Sequence, residues 1–209
     1  MNRIIKVIIT RVKRLYYKMG GGNNIKGISL LHRFLNLDIN GTNNLIIIKG
    51  KMSQDVHVMI QGNNHRLIID KGVVFKKGQI WFEDHDCEIY IGARSTIGEA
   101  SLAVAESGSK ISIGEDCMFS QGIHVVTTDS HSIIKQDSSE RINPAKNVLI
   151  GDHVWIARGV TINKGVTIES NSVIANNSVV TKSVPCNCIA AGIPAKIVKN
   201  NINWLRKRI

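Results

Sequence analysis

A spacing of 22 residues constrains this chain more than any other feature. It links Ile47, Ile69, Ile91 and Ile113, and it links Leu67, Ile89, Ile111 and Ile133. The same interval connects Met59, Trp81, Ala103 and Val125, and also Ser53, Phe75, Ile97 and Phe119. A fixed period of this size predicts a solenoid, because so short a repeat buries its apolar face only by stacking on its neighbours.

Further along, the period shortens to six. Ile150, Ile156, Ile162, Ile168, Ile174 and Val180 form an unbroken series, and the positions four after the first five hold Val154, Val160, Val166, Ser172 and Ser178. Six residues match neither the α-helical repeat nor the heptad. They do match a short strand plus a turn, wound as a parallel β-helix with the aliphatic residue inward and Gly, Asn or Asp at the corners. A 22-residue coil is then three hexads with an insert. The polar runs Glu83-Asp84-His85-Asp86 and Glu106-Ser107-Gly108-Ser109 are the inserts, expected to bulge at one corner.

Three segments carry a family resemblance. Ile150-Gly-Asp-His-Val-Trp-Ile-Ala-Arg-Gly-Val160 resembles the tryptophan-bearing coil of the hexapeptide-repeat acyltransferases. Ser178-Val-Val-Thr-Lys-Ser-Val-Pro185 followed by Ala191-Gly-Ile-Pro-Ala-Lys196 resembles their closing coil, and Thr127-Thr-Asp-Ser-His-Ser-Ile133 resembles their catalytic loop. The nearest subgroup is the sugar and polysaccharide O-acetyltransferases of bacterial surface glycans. The resemblance implies an all-β solenoid, a left-handed parallel β-helix over residues 46–199 with a loop at 127–147. The flanking expectations are a basic, amphipathic helical segment over 1–45 and a short C-terminal helix over 200–209 that caps the open end.

Charge is placed at the ends. The net charge is +11, and residues 1–37 contain eight Lys or Arg (Arg3, Lys6, Arg11, Lys13, Arg14, Lys18, Lys26 and Arg33) with no acid. No basic face interleaved with aromatics accompanies them, so nucleic acid is not expected as a partner. Residues 3–19, rich in Ile and Val and closed by Gly20-Gly21-Gly22, read as a helix that either rests on an anionic membrane surface or packs on the β-helix or another subunit. No stretch reaches membrane-spanning length. Cys87, Cys117, Cys186 and Cys188 have no metal-ligand spacing and read as free thiols in a reducing cytoplasm, so no metal is expected. The expected location is therefore cytoplasmic, with peripheral association at the inner face of the membrane through the basic segment.

The chemistry centres on His131. By the 22-residue spacing it follows His65, Cys87 and Ser109, and from Ser132 to about Asn147 the hexad pattern gives way to a long polar excursion. A long loop on a regular solenoid usually has a function. The resemblance implies that His131 is the general base for attack of a sugar hydroxyl on acetyl-CoA, by direct transfer without a covalent enzyme intermediate. Asp129 is a candidate to orient the ring, although a backbone carbonyl serves equally well. Ser130 and Trp155 are candidate acceptor contacts, and Trp155, five residues after Ile150, is expected to point outward near the acceptor or thioester. For acetyl-CoA the resemblance implies a groove between subunits of a homotrimer, lined by Trp155, Ala157, Ala175, Thr181, Lys182, Ala191, Gly192, Pro194, Ala195, Lys196 and Lys199. The family often has Gly where this chain has Ala157. Rival readings are N-acetylation of an amino sugar or acetylation of a small acceptor, and a β-helix without catalysis that serves as a binding or scaffolding protein.

Overall fold

The computed structural model describes residues 21–27 and 36–209. The expected helix over residues 3–19 lies outside them. Among the described residues, nineteen strands follow in chain order, and almost all of their pairings are parallel. The chain is a left-handed parallel β-helix with three faces. The first face is a seven-stranded sheet that begins at Asn24–Lys26, continues through Leu45–Ile48, Arg66–Ile69, Glu88–Ile91, Lys110–Ile113 and Val148–Ile150, and ends at Thr167–Ile168. The second face stacks residues 51–52, 74–75, 96–97, 118–119, 155–156, 173–174 and 189–190. The third stacks 36–40, 57–61, 79–82, 101–104, 123–126, 161–162 and 179–180.

The hexad series behaves as its chemistry requires. Ile150, Ile156, Ile162, Ile168, Ile174 and Val180 are all buried, and so are Val154, Val160, Val166, Ser172 and Ser178. One continuous core runs from Ile25 to Ala190. Each fully buried Ile or Val contributes about 1.5–3 kcal/mol relative to exposure, and it does so only because the next coil covers it.

The 22-residue period holds in the middle and slips at both ends. Leu45 pairs with Arg66 and Ile48 with Ile69, an interval of 21, so Ile48 occupies the inward position and Ile47 points outward. Met52, not Ser53, pairs with Phe75. Ala100 pairs with Ile123 and Leu102 with Val125, an interval of 23, so Val125 is inward whereas Met59, Trp81 and Ala103 are outward. Ile111 pairs with Val148, which leaves Ile133 on the loop, more than half exposed. Each slip exchanges the inward and outward sides, because side chains alternate along a strand.

Two boundaries also differ from the expectation. The strands Asn24–Lys26 and Asn36–Asn40 already belong to the wall, inside the segment 1–45 set apart on sequence grounds. Residues 201–209 form no helix. The chain instead closes with an antiparallel hairpin, Cys188–Gly192 against Ala195–Asn200, and the tail then folds back along the coils. Among the described residues, no helix is long and apolar enough to cross a membrane.

The corner between the third and first faces carries the polar inserts and also a buried polar ladder. The side chain of Asn23 accepts the N–H of Asn44, that of Asn44 accepts the N–H of His65, and His65 Nδ1 accepts the N–H of Cys87. Cys87 Sγ then meets Ser109 Oγ, and Ser109 Oγ meets Thr127 Oγ1. All six residues are buried. Just before the ladder, Asn43, Asn64, Asp86 and Gly108 turn the corner with positive φ (58°, 61°, 60° and 81°), where Asn, Asp and Gly are tolerated.

Candidate active site

The ladder ends where the candidate site begins. His65, Cys87 and Ser109 point inward at the corner, whereas His131 stands outside it and is exposed. The last polar rung of the ladder is Thr127, four residues before His131. The chain then leaves the wall. Residues 133–142 form a short hairpin in which Ile134 bridges Arg141, Ile142 N–H donates to Ile133 O, and Lys135 N–H donates to Glu140 O. It rejoins the first face at Val148–Ile150.

Asn143 holds this excursion to the coil. Its side chain is 7% exposed. Oδ1 accepts the Ile133 N–H at 2.7 Å, and Nδ2 donates to His131 O at 2.8 Å and to Asp129 Oδ2 at 2.9 Å. One amide therefore grips the backbone on the C-terminal side of His131 and the carboxylate on the other. From the next coil, Lys164 donates to Asp129 Oδ2 at 2.6 Å and to Asn143 O at 2.7 Å. The Lys164 ammonium, aided by the Asn143 amide, holds the Asp129 carboxyl below its ordinary range.

A second anchor is Glu106, in the insert of the preceding coil. It takes a two-pronged ion pair from Arg141 at 2.5 and 2.8 Å, a bond from Thr128 Oγ1 at 2.6 Å, and the Ala145 N–H at 3.1 Å. The Arg141 guanidinium above all lowers the Glu106 pKa to about 2. Glu106, Arg141, Asn143 and Lys164 thus complete the site, and sequence reasoning did not single them out. The signal available was Asn143-Pro144 closing the polar run; Pro144 has no N–H to give and marks the return of the chain.

The expected pairing of Asp129 with the His131 ring does not occur within the chain. The Asp129 carboxylate is taken by Lys164 and Asn143, and its backbone carbonyl accepts the His131 N–H at 2.8 Å. Among the described residues, the His131 imidazole has no hydrogen-bond partner, so the ring is available to solvent and to whatever approaches the corner. Ser130 is exposed beside it with φ at 67°.

The remaining candidates fall into two groups. Trp155 points outward on the second face, 36% exposed, between Met118 and Val173. Ala157, Ala175 and Ala191 follow in register on successive coils and form a column of small outward side chains beside it. Thr181 and Lys182 lie instead at the corner that carries the His131 loop, in register with Asn163 and Lys164. Gly192, Pro194, Ala195, Lys196 and Lys199 lie on the closing hairpin, with Lys196 and Lys199 exposed. Within one chain, His131 and Trp155 therefore belong to different parts of the prism. Among the described residues, no group of three or more His, Cys, Asp or Glu is arranged to hold a metal ion.

The fold agrees with what the chain resembles. Residues 147–182 match the family model described as bacterial transferase hexapeptide (six repeats). A polysialic acid O-acetyltransferase of Neisseria meningitidis is 41% identical over 91% of this chain and 90% of its own length. The crystal structure of the polySia specific acetyltransferase NeuO superposes with a TM-score of 0.81 at 36% identity, covering 90% of this chain and 80% of that one. The polysialic acid O-acetyltransferase OatWY superposes at 0.63 with 32% identity, covering 90% and 92%. A relative 41% identical over nine-tenths of both chains leaves one conclusion: the chain belongs to the hexapeptide-repeat O-acetyltransferases and is an acyl-transferring enzyme.

Proposed function

We propose that the enzyme moves an acetyl group from acetyl-CoA to a hydroxyl of an acidic capsular polysaccharide of the polysialic acid type. The observation that carries this reading is the treatment of His131: its backbone is fixed by Asn143 while its imidazole is left free. A ring nitrogen takes the proton of the sugar hydroxyl as that oxygen attacks the thioester carbonyl. The C–O bond forms, the C–S bond breaks, and the imidazolium returns the proton to the departing thiolate. Three of the four cysteines, Cys87, Cys117 and Cys188, are buried and offer no competing nucleophile. Burial pushes the thiols of Cys87 and Cys188 up and that of Cys117 to about 11, which favours direct transfer. The named acceptor of two relatives, polysialic acid, supports the acceptor class.

The same reading makes the working unit a homotrimer, with acetyl-CoA in a groove between copies. Its support is the separation of the two candidate groups, His131 with Lys182 at one corner and Trp155 with the alanine column on another face. Ile133, Ile134 and Ile142 on the loop are each more than half exposed, an apolar patch that a neighbouring copy would cover. Trp155 then contacts the acceptor, and Lys196 and Lys199 supply point charges for phosphate. The four free thiols fit a cytoplasmic setting. The deciding experiment incubates purified protein with labelled acetyl-CoA and either polysialic acid oligomers or a neutral glycan, and reads product mass. Acetylation of the acidic oligomers alone is expected; label only in an amino-sugar amide, or none in any glycan, overturns the reading. Sedimentation velocity tests the trimer.

A further inference from the structure

The C-terminal tail is the largest feature left without a task. After Ala195–Asn200 it does not leave the molecule but crosses back over coils already laid down. Ile202 N–H donates to Asn187 O, and Arg206 reaches Thr96 Oγ1 at 2.9 Å, Asp116 Oδ1 at 3.0 Å, and the carbonyls of Asp116 and Cys117. These contacts span coils almost a hundred residues earlier in the chain.

Between these ties sits Trp204, buried at 6% exposure. Its indole lies flat on the His153 ring, with centroids 4.1 Å apart and planes 8° from parallel. Trp204 Nε1–H donates to His153 O at 2.8 Å, and His153 Nε2 lies 3.0 Å from Trp204 O. The other ring nitrogen, Nδ1, lies 2.7 Å from Asp116 Oδ2, and Asp116 is also held by Arg206. The Arg206 guanidinium lies 5.8 Å from the Trp204 ring centre. A side chain stacked, hydrogen-bonded through its one N–H, tied at its own backbone carbonyl and flanked by a cation has one orientation.

What Trp204 faces beyond this clamp is Trp155, with ring centroids 6.1 Å apart and planes tilted by 48°. The Trp155 indole makes no hydrogen bond of its own among the described residues, and its neighbours across the coils are Met118 and Val173, with the Ala157 column beyond. A half-exposed indole on such a surface would sample several rotamers, and binding would have to order it. We propose that Trp204, clamped by His153 and Arg206, is a positioning residue that fixes the Trp155 indole for the acceptor glycan. The proposal rests on the reading of Trp155 as an acceptor contact. The tail is thereby part of the binding apparatus.

The test is a kinetic cycle with polysialic acid oligomers and acetyl-CoA varied in turn, using Trp155→Ala, Trp204→Ala, the double variant and Arg206→Gln. Trp204→Ala is expected to raise the acceptor KM by about three- to tenfold and leave the acetyl-CoA KM within about twofold, as loss of preorganisation predicts. Arg206→Gln should move the acceptor KM the same way by less. The double variant should be no worse than Trp155→Ala, because both changes act through one indole. An unchanged acceptor KM in Trp204→Ala, or effects that multiply in the double variant, overturns the proposal. If Trp204→Ala does not fold, Arg206→Gln decides alone, since it leaves the core intact: an unchanged acceptor KM there is fatal. An acceptor KM unmoved by Trp155→Ala sinks the earlier reading of Trp155 and this proposal with it; a damaged Trp155→Ala beside a silent Trp204→Ala sinks this proposal only.

Discussion

The coil wall and the 128–147 loop are made of one chain yet held by different forces. In the wall, most inward positions are apolar side chains held out of water, and the next coil covers them. In the loop nearly every side chain is exposed, and a handful of polar side chains, chiefly Glu106, Arg141, Asn143, Asp129 and Lys164, hold the backbone where it is. On the proposed mechanism, stability belongs to the first region and chemistry to the second. Damage to one should spare the other, which can be tested from both sides.

The largest effect is expected in the wall. Ile162→Ala leaves a cavity between stacked coils and should cost about 2–5 kcal/mol of stability, read by denaturant unfolding, with normal kinetic constants for whatever protein remains folded. Loss of activity at full stability would mean that the wall transmits to the site, against the comparison. Next comes His131→Ala. Turnover should fall by about 10²-fold or more, with acetyl-CoA affinity within a few-fold and an unchanged melting temperature. A variant that keeps more than about a third of wild-type turnover removes His131 from the mechanism, since a general base contributes at least about 10².

Asn143→Ala tests whether position alone matters. It removes the bonds to Ile133, His131 and Asp129, each worth about 1 kcal/mol, and should lower kcat roughly tenfold with the melting temperature little changed, because the loop can loosen without the coils. A kcat at the wild-type level would show that the loop keeps its shape without the amide. The smallest effect is a pH dependence. Glu106 has a depressed pKa in the folded chain, about 2 against an ordinary 4.5. Its hold on the loop is therefore fully present above pH 4.5 or so and is lost as pH falls toward about 2. Limited proteolysis of the loop should rise across that window in the native enzyme and show no such step in Glu106→Gln, which should be loosened at every pH.

Much of the wall was legible in the sequence because its physics is repetitive. A six-residue aliphatic series has one interpretation, and every member from Ile150 to Val180 is inward. The 22-residue series was less faithful. Ile47, Ser53, Val125 and Ile133 each missed the inward or outward position assigned to them, since the true intervals are 21, 23, 23 and 37 at those points. Runs such as Leu45-Ile46-Ile47-Ile48 hide a one-residue slip, because any of their residues would do inside. The step to 23 falls just after Phe119: earlier coils round that corner within one long strand, such as Thr96–Val104, and later coils turn it with Gly122 and Gly159 at φ 66° and 71°.

The place of His131 on the loop and the outward aspect of Trp155 were readable from loop context and hexad phase. The clamp was not. Asn143 and Lys164 meet Asp129 from 14 and 35 residues away, and Glu106 meets Arg141 across 35, so no local pattern reports them. The C-terminal helix failed for a related reason. The partners of Trp204 and Arg206 lie 51 to 110 residues earlier, and those contacts, not helix propensity, decide the tail's conformation.

The corner ladder from Asn23 to Thr127 acts as an error check on winding. Each of its first members accepts the N–H of the residue that begins the next turn of the corner, so a correct coil is certified by the one before it. If a coil were threaded so that the next residue along, Leu45, Arg66 or Lys110, took the place of its rung, a buried donor would find no acceptor. Apolar stacking alone would tolerate that mistake, as the Leu45–Ile48 run makes plain. The ladder does not, and its last rung lies at Thr127, so an uncorrected miscount anywhere upstream would be delivered to the residue from which the His131 loop departs.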